Sequence, residues 1–446
     1  MSTLQAGEWG QTTFGRSHVG RRRAIAIVAA VLVVALVATT ALVASLWRVA
    51  SGNIEKIPGI RLDQPVSDAP LNVLVVGSDS RDGLTPEQIQ RFHLGTFEGA
   101  RSDTVLLVSI ARGRDAASVV SFPRDLAVDD AGERRKLTET FAQGPEHVVD
   151  IIRTNFGVPV HHYVEVSILG FVSVVEAVGG VRICLEEPLQ DDKSGADFPA
   201  GCIDMDAVQA LQYVRSRQTA RGDFDRIERQ QTFMRALLDK MISTRVLVDV
   251  PRLFNVVEQV SRQVKTDDGL GPNQMRELAQ QLKGLASGAI PMSVVPSYTE
   301  TIEGTSYVVA YPPGASAMFA ALAAGEPLPG RGTQEEREAT DVVVWSGGDR
   351  AAADLAQRTL FWASFDAHVD GAGPLPPEGP TVVYALPGHE PAAGWVAATL
   401  GTTAQPLPTD VTVEDADVVV RIGVPGAAAP APTDPSAPSI ATPTAA

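Results

Sequence analysis

The 446-residue sequence is poor in lysine, in cysteine and in positive charge. Its formal net charge of −16 at pH 7 argues against a general basic surface, and therefore against nucleic acid as a partner. The only two cysteines, Cys184 and Cys202, have no histidine near them in the sequence and do not make a zinc site. Six lysines among 37 basic residues leave arginine as the main cation. Arginine stays charged at physiological pH and binds phosphate oxygens two at a time.

Long uncharged segments are also scarce, and residues 24–46 are the exception. This stretch of about 23 residues is long enough to cross a hydrocarbon core of roughly 30 Å as a helix. Residues 1–23 hold four arginines and one acid, which places them in the cytoplasm by the positive-inside rule. We interpret 24–46 as a single transmembrane helix in the cell membrane, with the rest of the chain extracytoplasmic. A cleaved signal peptide is the alternative, although its apolar region would be shorter.

The two cysteines fall in the exported part of this topology. Oxidation is allowed there, so we expect a disulfide between Cys184 and Cys202. Closing a loop of that size would stabilise the fold by on the order of 3 kcal/mol in the chain-entropy description.

Composition divides the rest of the chain into five segments. Residues 47–70 have the prolines and polarity of a stalk. In 71–312, runs rich in Val, Leu and Ile alternate with helical patterns, which predicts an α/β domain. Residues 313–338 have the composition of a linker, and 339–425 show a βαβαβ-like order typical of a small second α/β domain. Residues 426–446 are mostly Pro, Ala and Thr and are expected to be a disordered tail.

Arginines are concentrated in one run that follows Tyr213. Five of them lie within 15 residues: Arg215, Arg217, Arg221, Arg226 and Arg229. If Asp223 caps a helix, Arg226 and Gln230 lie one turn apart on one face, where they could bind a pyrophosphate. Because acids are interleaved with the arginines, a solvated, charged helix face is the alternative.

Polar residues also stand where three predicted strands begin or end. These are Asp79 and Arg81, Arg101 and Asp103, and Arg124 and Asp125. α/β sheets place their sites at strand ends, and two carboxylates with several arginines suit Mg²⁺ and the phosphates that it bridges. Each fragment alone could instead be an aspartate that caps a turn.

Taken in order, these motifs resemble the LytR-CpsA-Psr family over residues 71–245. The motifs are Gly77-Ser-Asp79-Ser-Arg81, Arg101-Ser-Asp103-Thr104, Ser121-Phe-Pro-Arg124-Asp125, Gly179-Gly180-Val181, Ala210-Leu-Gln-Tyr-Val-Arg215-Ser-Arg217 and Gly222-Asp-Phe-Asp-Arg226-Ile-Glu-Arg229-Gln230. Residues 339–425 resemble the LytR C-terminal domain of actinobacterial members. The resemblance implies a three-layer α/β/α catalytic domain with a central mixed sheet.

The resemblance also implies an activity and its site. The family transfers a glycopolymer from a polyprenyl-pyrophosphate carrier to peptidoglycan through a phosphodiester, as a Mg²⁺-dependent phosphotransferase, with Mn²⁺ as a possible substitute. By motif, Asp79 and Asp103 would hold the metal and act in catalysis with Arg124. The implied pyrophosphate ligands are Arg124, Arg215, Arg217, Arg226 and Gln230. The implied supporting residues are Arg81, Arg101, Asp125 and Arg229.

Two further expectations concern the substrate. The apolar faces of 168–178 and 233–241 could line a tunnel for the lipid or belong to the core. The insertion 83–99 is a candidate lid or substrate-selecting loop. The long insertion, the Ala/Pro/Thr-rich tail and the C-terminal module point to an actinobacterial wall, with arabinogalactan as the leading donor polymer and a capsule or teichoic-type polymer as the alternative. A pyrophosphatase that hydrolyses the carrier, or a non-catalytic cell-envelope regulatory or binding protein, are the alternatives.

Overall fold

The computed structural model describes residues 52–67, 69–81, 83–94, 102–111, 116–217, 219, 221–242, 258, 261–262, 264–271, 274, 290–376 and 378–423. The predicted segments 1–23, 24–46 and 426–446 lie outside these residues, as does Arg101. Only the backbone of Asp103 is described. Within this part of the chain, no helix has the length and apolar composition required to cross a membrane.

The first domain contains fifteen described strands, of which seven pair in one large sheet and eight form two-stranded ribbons. In chain order the strands are β1 (Glu55–Ile57), β2 (Leu71–Ser78), β3 (Ser102–Ala111), β4 (Ala116–Phe122), β5 (Ala127–Asp130), β6 (Glu133–Lys136), β7 (His162–Ser167), β8 (Val181–Leu185), β9 (Leu189–Asp191), β10 (Ala196–Phe198), β11 (Gly201–Met205), β12 (Val264–Asp267), β13 (Met292–Val294), β14 (Ser297–Ile302) and β15 (Thr305–Ala310). Seven strands form the central sheet in the order β1-β12-β7-β2-β3-β4-β13. It contains both parallel and antiparallel pairs, so the predicted α/β fold with a central mixed sheet is confirmed.

Helices cover both faces of this sheet. Up to residue 338, the α-helices with described bounds are α1 (Pro86–Arg91), α2 (Leu137–Thr140), α3 (Pro145–Phe156), α4 (Ile168–Val178), α5 (Ala207–Arg215), α6 (Asp223–Ile242), α7 (Pro312–Ala323) and α8 (Gln334–Glu338). Alternation along β2 separates the two faces: Leu74 and Val76 join the core under α2, α3 and α7, whereas Val75 and Gly77 face α4, α5 and α6. In the first core the rings of Phe122, Phe156 and Phe319 lie with centroids 5.2–5.9 Å apart.

Local signals explain where several helices begin and end. Proline in the first turn opens α3, and Gly157 ends it in the left-handed conformation, at φ 65°. The Asp206 side chain caps α5 by accepting from the backbone N–H of Gln209 at 2.9 Å, in a capping box. The Ser167 side chain caps α4 by accepting from the backbone N–H of Gly170 at 3.1 Å. These elements have the bounds that their sequence signals predict to within a few residues.

Two segments differ from the sequence-based expectation. The predicted stalk, 47–70, contains β1, which pairs in parallel with β12 at the edge of the central sheet. Residues 313–338, predicted as a linker, form α7 and α8, and the α7 side chains Phe319 and Leu322 pack in the first core. The Ala-rich composition of α7 suggested a spacer, but small side chains also allow a helix to pack closely.

The second domain contains a five-stranded mixed sheet. Its elements are β16 (Asp341–Trp345), α9 (Arg350–Trp362), β17 (Asp366–Val369), β18 (Val382–Ala385), α10 (Glu390–Leu400), β19 (Thr403–Pro406) and β20 (Val418–Arg421). The strand order is β17-β16-β20-β18-β19, which adds β17 and β19 to the predicted βαβαβ order. Its core includes Tyr298 and Tyr311 of the first domain. Gly401 lets α10 approach α7 closely, since a β-carbon there would collide with the Pro313 carbonyl oxygen.

The predicted disulfide is present. Cys184 and Cys202 are bonded to each other at directly opposed positions of the β8–β11 ribbon. The ribbon leads from β11 into α5, the helix that ends at Arg215.

Candidate active site

A cavity of about 200 Å³ lies between the central sheet and helices α4, α5 and α6. Its wall is mainly apolar. Ile168 and Phe171 of α4 and Phe233 and Met234 of α6 contribute to it, so the helix faces predicted as tunnel or core form part of the wall. Four of the predicted site residues line the same cavity: Asp79, Arg215, Arg226 and Gln230.

Strand β2 brings Asp79 to this cavity. Asp79 is the first residue after the strand. Opposite Gly77 and Ser78 the pairing with β3 becomes irregular, and Asp103 is the additional residue of β3 at this point. The two predicted metal-binding aspartates therefore belong to the same end of the β2–β3 pair.

Three of the predicted arginines converge on a single carboxylate oxygen. The Asp223 Oδ1 atom lies 2.8 Å from Arg226 Nη2, 3.6 Å from Arg124 Nε and 3.9 Å from Arg217 Nε. Arg226 is almost fully buried, with 1% of its side chain exposed. Asp223 thus gathers arginines from the turn after β4, the segment after α5 and the first turn of α6.

The remaining two predicted pyrophosphate ligands are held by backbone carbonyl groups. Arg215 Nη1 donates to the carbonyl oxygens of Phe92 at 3.0 Å and His93 at 3.3 Å. Gln230 Nε2 donates to the carbonyl oxygen of Val214 at 3.3 Å. Both side chains are therefore oriented at the cavity wall.

The described part of the predicted lid, residues 83–94, contacts Arg81 and Arg215. Helix α1 begins with a capping box between Thr85 and Gln88. After its end, the Leu94 carbonyl oxygen accepts from Arg81 Nη2 at 2.6 Å, next to the carbonyl groups that accept from Arg215. The insertion is thus hydrogen-bonded directly to Arg81 and Arg215.

The sequence matches a known protein family. The sequence profile of the LytR_cpsA_psr family matches residues 36–324. The chain belongs to this family. It is 31% identical over 330 residues to the cell wall biosynthesis protein LcpA of Corynebacterium glutamicum, which covers 66% of this chain and 63% of LcpA.

Two further relatives of this LytR_cpsA_psr protein are similar over shorter stretches. The probable cell wall biosynthesis protein LcpB of C. glutamicum is 32% identical over 258 residues, covering 57% of this chain and 62% of LcpB. The polyisoprenyl-teichoic acid–peptidoglycan teichoic acid transferase TagU of Enterococcus faecalis is 29% identical over 242 residues, covering 53% of this chain and 74% of TagU. The chain spans a little under two thirds of the length of the two Corynebacterium proteins.

Two residues predicted to support the site of this LytR_cpsA_psr protein lie next to its pyrophosphate-binding candidates in the structure. Arg229 Nη2 donates to the Ser216 carbonyl oxygen at 2.6 Å, between Arg215 and Arg217. Burial lowers the pKa of Arg229 below the usual arginine value. The Asp125 carboxylate lies 3.5 Å from Arg124 Nε and 3.5 Å from Lys136 Nζ.

One buried acid at the site was missed in the sequence. Asp191, at the end of β9, accepts hydrogen bonds from the backbone N–H groups of Arg217 at 2.6 Å, Lys193 at 2.9 Å and Ser194 at 3.4 Å. Burial alone would raise the pKa of Asp191, but these hydrogen bonds outweigh it and lower the pKa. The segment around Asp191 contains several acids, and nothing local distinguishes the one that reaches Arg217.

Gln231 is a second residue that the sequence did not single out. It is 3% exposed, and its Nε2 atom donates to Ser121 Oγ at 3.0 Å and to the Ser293 carbonyl oxygen at 3.2 Å. Gln231 therefore ties α6 to the ends of β4 and β13. Its partners are more than 60 residues away, so only the folded structure shows the contact.

Few of the described side chains are placed to bind a metal ion. No group of three or more His, Cys, Asp or Glu side chains that could hold a metal occurs among the described residues. Mg²⁺ commonly uses one or two carboxylates together with substrate phosphates and water. Asp79, which lines the cavity beside Arg215 and Arg226, fits that donor set.

Proposed function

We propose that the protein is a phosphotransferase that moves a glycopolymer from a polyprenyl-pyrophosphate carrier to peptidoglycan through a phosphodiester bond. The observation that carries this proposal is the mainly apolar cavity whose wall includes Asp79, Arg215, Arg226 and Gln230. Such a cavity matches a ligand with a long apolar chain and a charged pyrophosphate. LcpA is a cell wall biosynthesis protein and TagU is a teichoic acid transferase, which supports the same reaction class.

The arginines would bind and orient the pyrophosphate. Arg215, Arg226 and Gln230 line the cavity. Arg124 and Arg217 lie near Arg226, because all three arginines surround the Asp223 carboxylate. Phosphoryl transfer depends mainly on positioning and on neutralising the charge of the transferring group. Guanidinium groups suit this task because each offers two parallel donors to phosphate oxygens.

In the proposed step an acceptor hydroxyl, the 6-OH of a muramic acid residue, attacks the phosphorus next to the sugar. A new O–P bond forms, the bond from that phosphorus to the bridging oxygen breaks, and the polyprenyl phosphate leaves. The hydroxyl proton passes to a base, and Asp79 is the described carboxylate in the cavity wall. Arg124, Arg215 and Arg226 hold the phosphoryl oxygens during this exchange.

Asp79 and Asp103 would hold Mg²⁺, or Mn²⁺ in its place. When bound, such an ion supplies positive charge to the phosphate oxygens. Of these two proposed ligands, Asp103 lies in β3 and Asp79 is the first residue after β2, at the end where the two strands pair.

The proposed setting is the outer face of the cell membrane. The uncharged run 24–46 would anchor the chain, with the catalytic domain extracytoplasmic and close to a membrane-borne donor. The Cys184–Cys202 disulfide is consistent with an oxidising compartment. Arabinogalactan is the proposed donor polymer, on the composition of the chain and its similarity to Corynebacterium proteins.

The test is an in vitro transfer assay on the full chain in detergent, with Mg²⁺, a short polyprenyl-pyrophosphate glycan and uncrosslinked peptidoglycan. Arg215→Ala removes a cavity arginine, and Arg350→Ala removes an exposed arginine of the second domain as a matched control. We expect a phosphodiester-linked conjugate with wild type and Arg350→Ala, and a loss of about 100-fold with Arg215→Ala.

Mass analysis of both products separates the alternatives. Release of glycan phosphate without any conjugate would replace the transferase with a pyrophosphatase. Absence of turnover with any donor would favour the non-catalytic envelope protein.

A further inference from the structure

Helix α6 presents two different faces at its start. One face carries Arg226 and Gln230 to the cavity. The other carries Asp225 and Glu228, both buried. Arg226 and Glu228 are about 200° apart around the helix axis, because each residue turns an α-helix by about 100°. Because both faces belong to one helix, contacts on the second face also fix the direction in which the first face points.

The second face is held by arginines from the segment that joins the two domains. Glu228 Oε1 lies 2.6 Å from Arg337 Nη2 and 3.1 Å from Arg331 Nη2. Arg337 is 1% exposed, and its Nε also donates to the Ala363 carbonyl oxygen at 2.8 Å. Glu228 is thus fixed by a guanidinium that is itself fixed by the second domain.

Arg221, which lies just before α6, also connects this helix to the second domain and the joining segment. Its Nη2 lies 2.6 Å from Asp225 Oδ1 and 3.0 Å from Glu338 Oε1, and its Nη1 donates to Ser364 Oγ. Close by, the Phe224 ring stacks on Trp362 with centroids 5.0 Å apart. The first two turns of α6 therefore contact the second domain and the joining segment through both charge and aromatic surface.

Burial of these charges has a physical consequence. Taking ions out of water costs about as much as their attraction returns, so a buried ion pair is a weak source of stability but a strict constraint on geometry. Burial alone would raise the pKa of Glu228, but Arg331, Arg337 and Arg221 outweigh it and lower the pKa. Glu228 is therefore ionised at neutral pH, and its partners hold it in place.

From this geometry, and on the basis of the proposed function, we infer that Glu228, Arg331 and Arg337 are positioning residues for the pyrophosphate site. Through them the second domain and the joining segment fix the rotation of α6 and so the placement of Arg226 and Gln230. The second domain is then part of the working transferase and not an independent module.

The inference is tested on the full chain in detergent by a double-mutant cycle. Arg337→Met and Glu228→Gln are each made alone and together with Arg226→Ala, and Arg350→Met is the matched control on α9 of the second domain. The affinity for geranylgeranyl pyrophosphate is measured by calorimetry, transfer by the assay above, and folding by melting temperature.

We expect Arg337→Met and Glu228→Gln to weaken pyrophosphate affinity and transfer by about tenfold when Arg226 is present, and by less than about threefold in the Arg226→Ala background. Arg337→Lys, which keeps the charge, should restore part of the loss. Arg350→Met should have no effect.

Three results would overturn the inference. Folded variants with wild-type affinity and transfer would show that the contacts do not act on the site. An equal loss with and without Arg226 would show a general structural effect. If wild type binds the probe but transfers nothing, the proposed function fails, and the binding cycle still decides the positioning role. If wild type does not bind the probe, both fall together.

Discussion

Asp223 places a negative charge inside a cluster of arginines that is proposed to bind an anion. Its Oδ1 atom is within 4 Å of three guanidinium groups, and the closest, Arg226, is nearly inaccessible to water. Without ligand, this carboxylate offsets the repulsion among the arginines. With a pyrophosphate bound, the same arginines have a second anionic partner.

This arrangement predicts a ligand-dependent stability defect. Asp223→Asn should destabilise the ligand-free protein by about 1–3 kcal/mol, because it leaves buried donors with a weaker acceptor. Geranylgeranyl pyrophosphate should then raise the melting temperature of the variant more than that of wild type, since it replaces the missing charge. Asp239→Asn, at an exposed position of the same helix, is the control. An equal rise in all three proteins would contradict the prediction.

At the scale of elements, the small β9–β10 ribbon holds the segment that follows α5. Asp191 at the end of β9 accepts from the Arg217 backbone and also closes the turn through Lys193 and Ser194. The ribbon thereby fixes the chain between Arg215 and Arg217.

Asp191→Asn should therefore act mainly on ligand binding. An amide has one acceptor oxygen where the carboxylate has two, so at least one of these hydrogen bonds is lost, at about 1–2 kcal/mol. We expect pyrophosphate affinity to fall roughly tenfold with a small change in melting temperature. Asp197→Asn on the exposed side of β10 should leave affinity unchanged. A large loss of stability with normal affinity in the remaining folded protein would assign Asp191 to folding alone.

The sequence predicts those elements whose ends carry local signals. Helix α3 begins at a proline and ends before Gly157, and both residues are helix-boundary signals that can be read in the sequence. In contrast, the sequence predicts a stalk and a linker where β1 and α7 lie. Both elements depend on partners that are far away in the chain, β12 for β1 and the first core for α7, so local signals do not reveal them. The site divides in the same way: motifs identified Arg215 and Arg226, whereas Asp191 and Gln231 act through contacts that local sequence does not encode.

At the scale of the whole molecule, an acidic protein keeps several arginines in its interior. The net charge is −16, yet Arg226 and Arg337 are among the most deeply buried large side chains of the described residues. Burial lowers the pKa of Arg337 to about 10, so it remains charged at neutral pH. One of these arginines faces the proposed pyrophosphate site and the other joins the two domains, so the interior charge connects substrate binding with domain packing.

The domain contact should also give the protein a defined response to acid. The folded-state pKa of Glu228 is lowered, so its contribution to stability is present above the unfolded value of about 4.3 and is lost as the pH falls through the folded value. The difference in unfolding free energy between wild type and Glu228→Gln should therefore be constant from pH 7 to 5 and be smaller at pH 3.5. Urea denaturation at the three pH values measures it, with Glu326→Gln at an exposed position as the control. A difference that stays constant to pH 3.5 would mean that the charge of Glu228 does not hold the domains together.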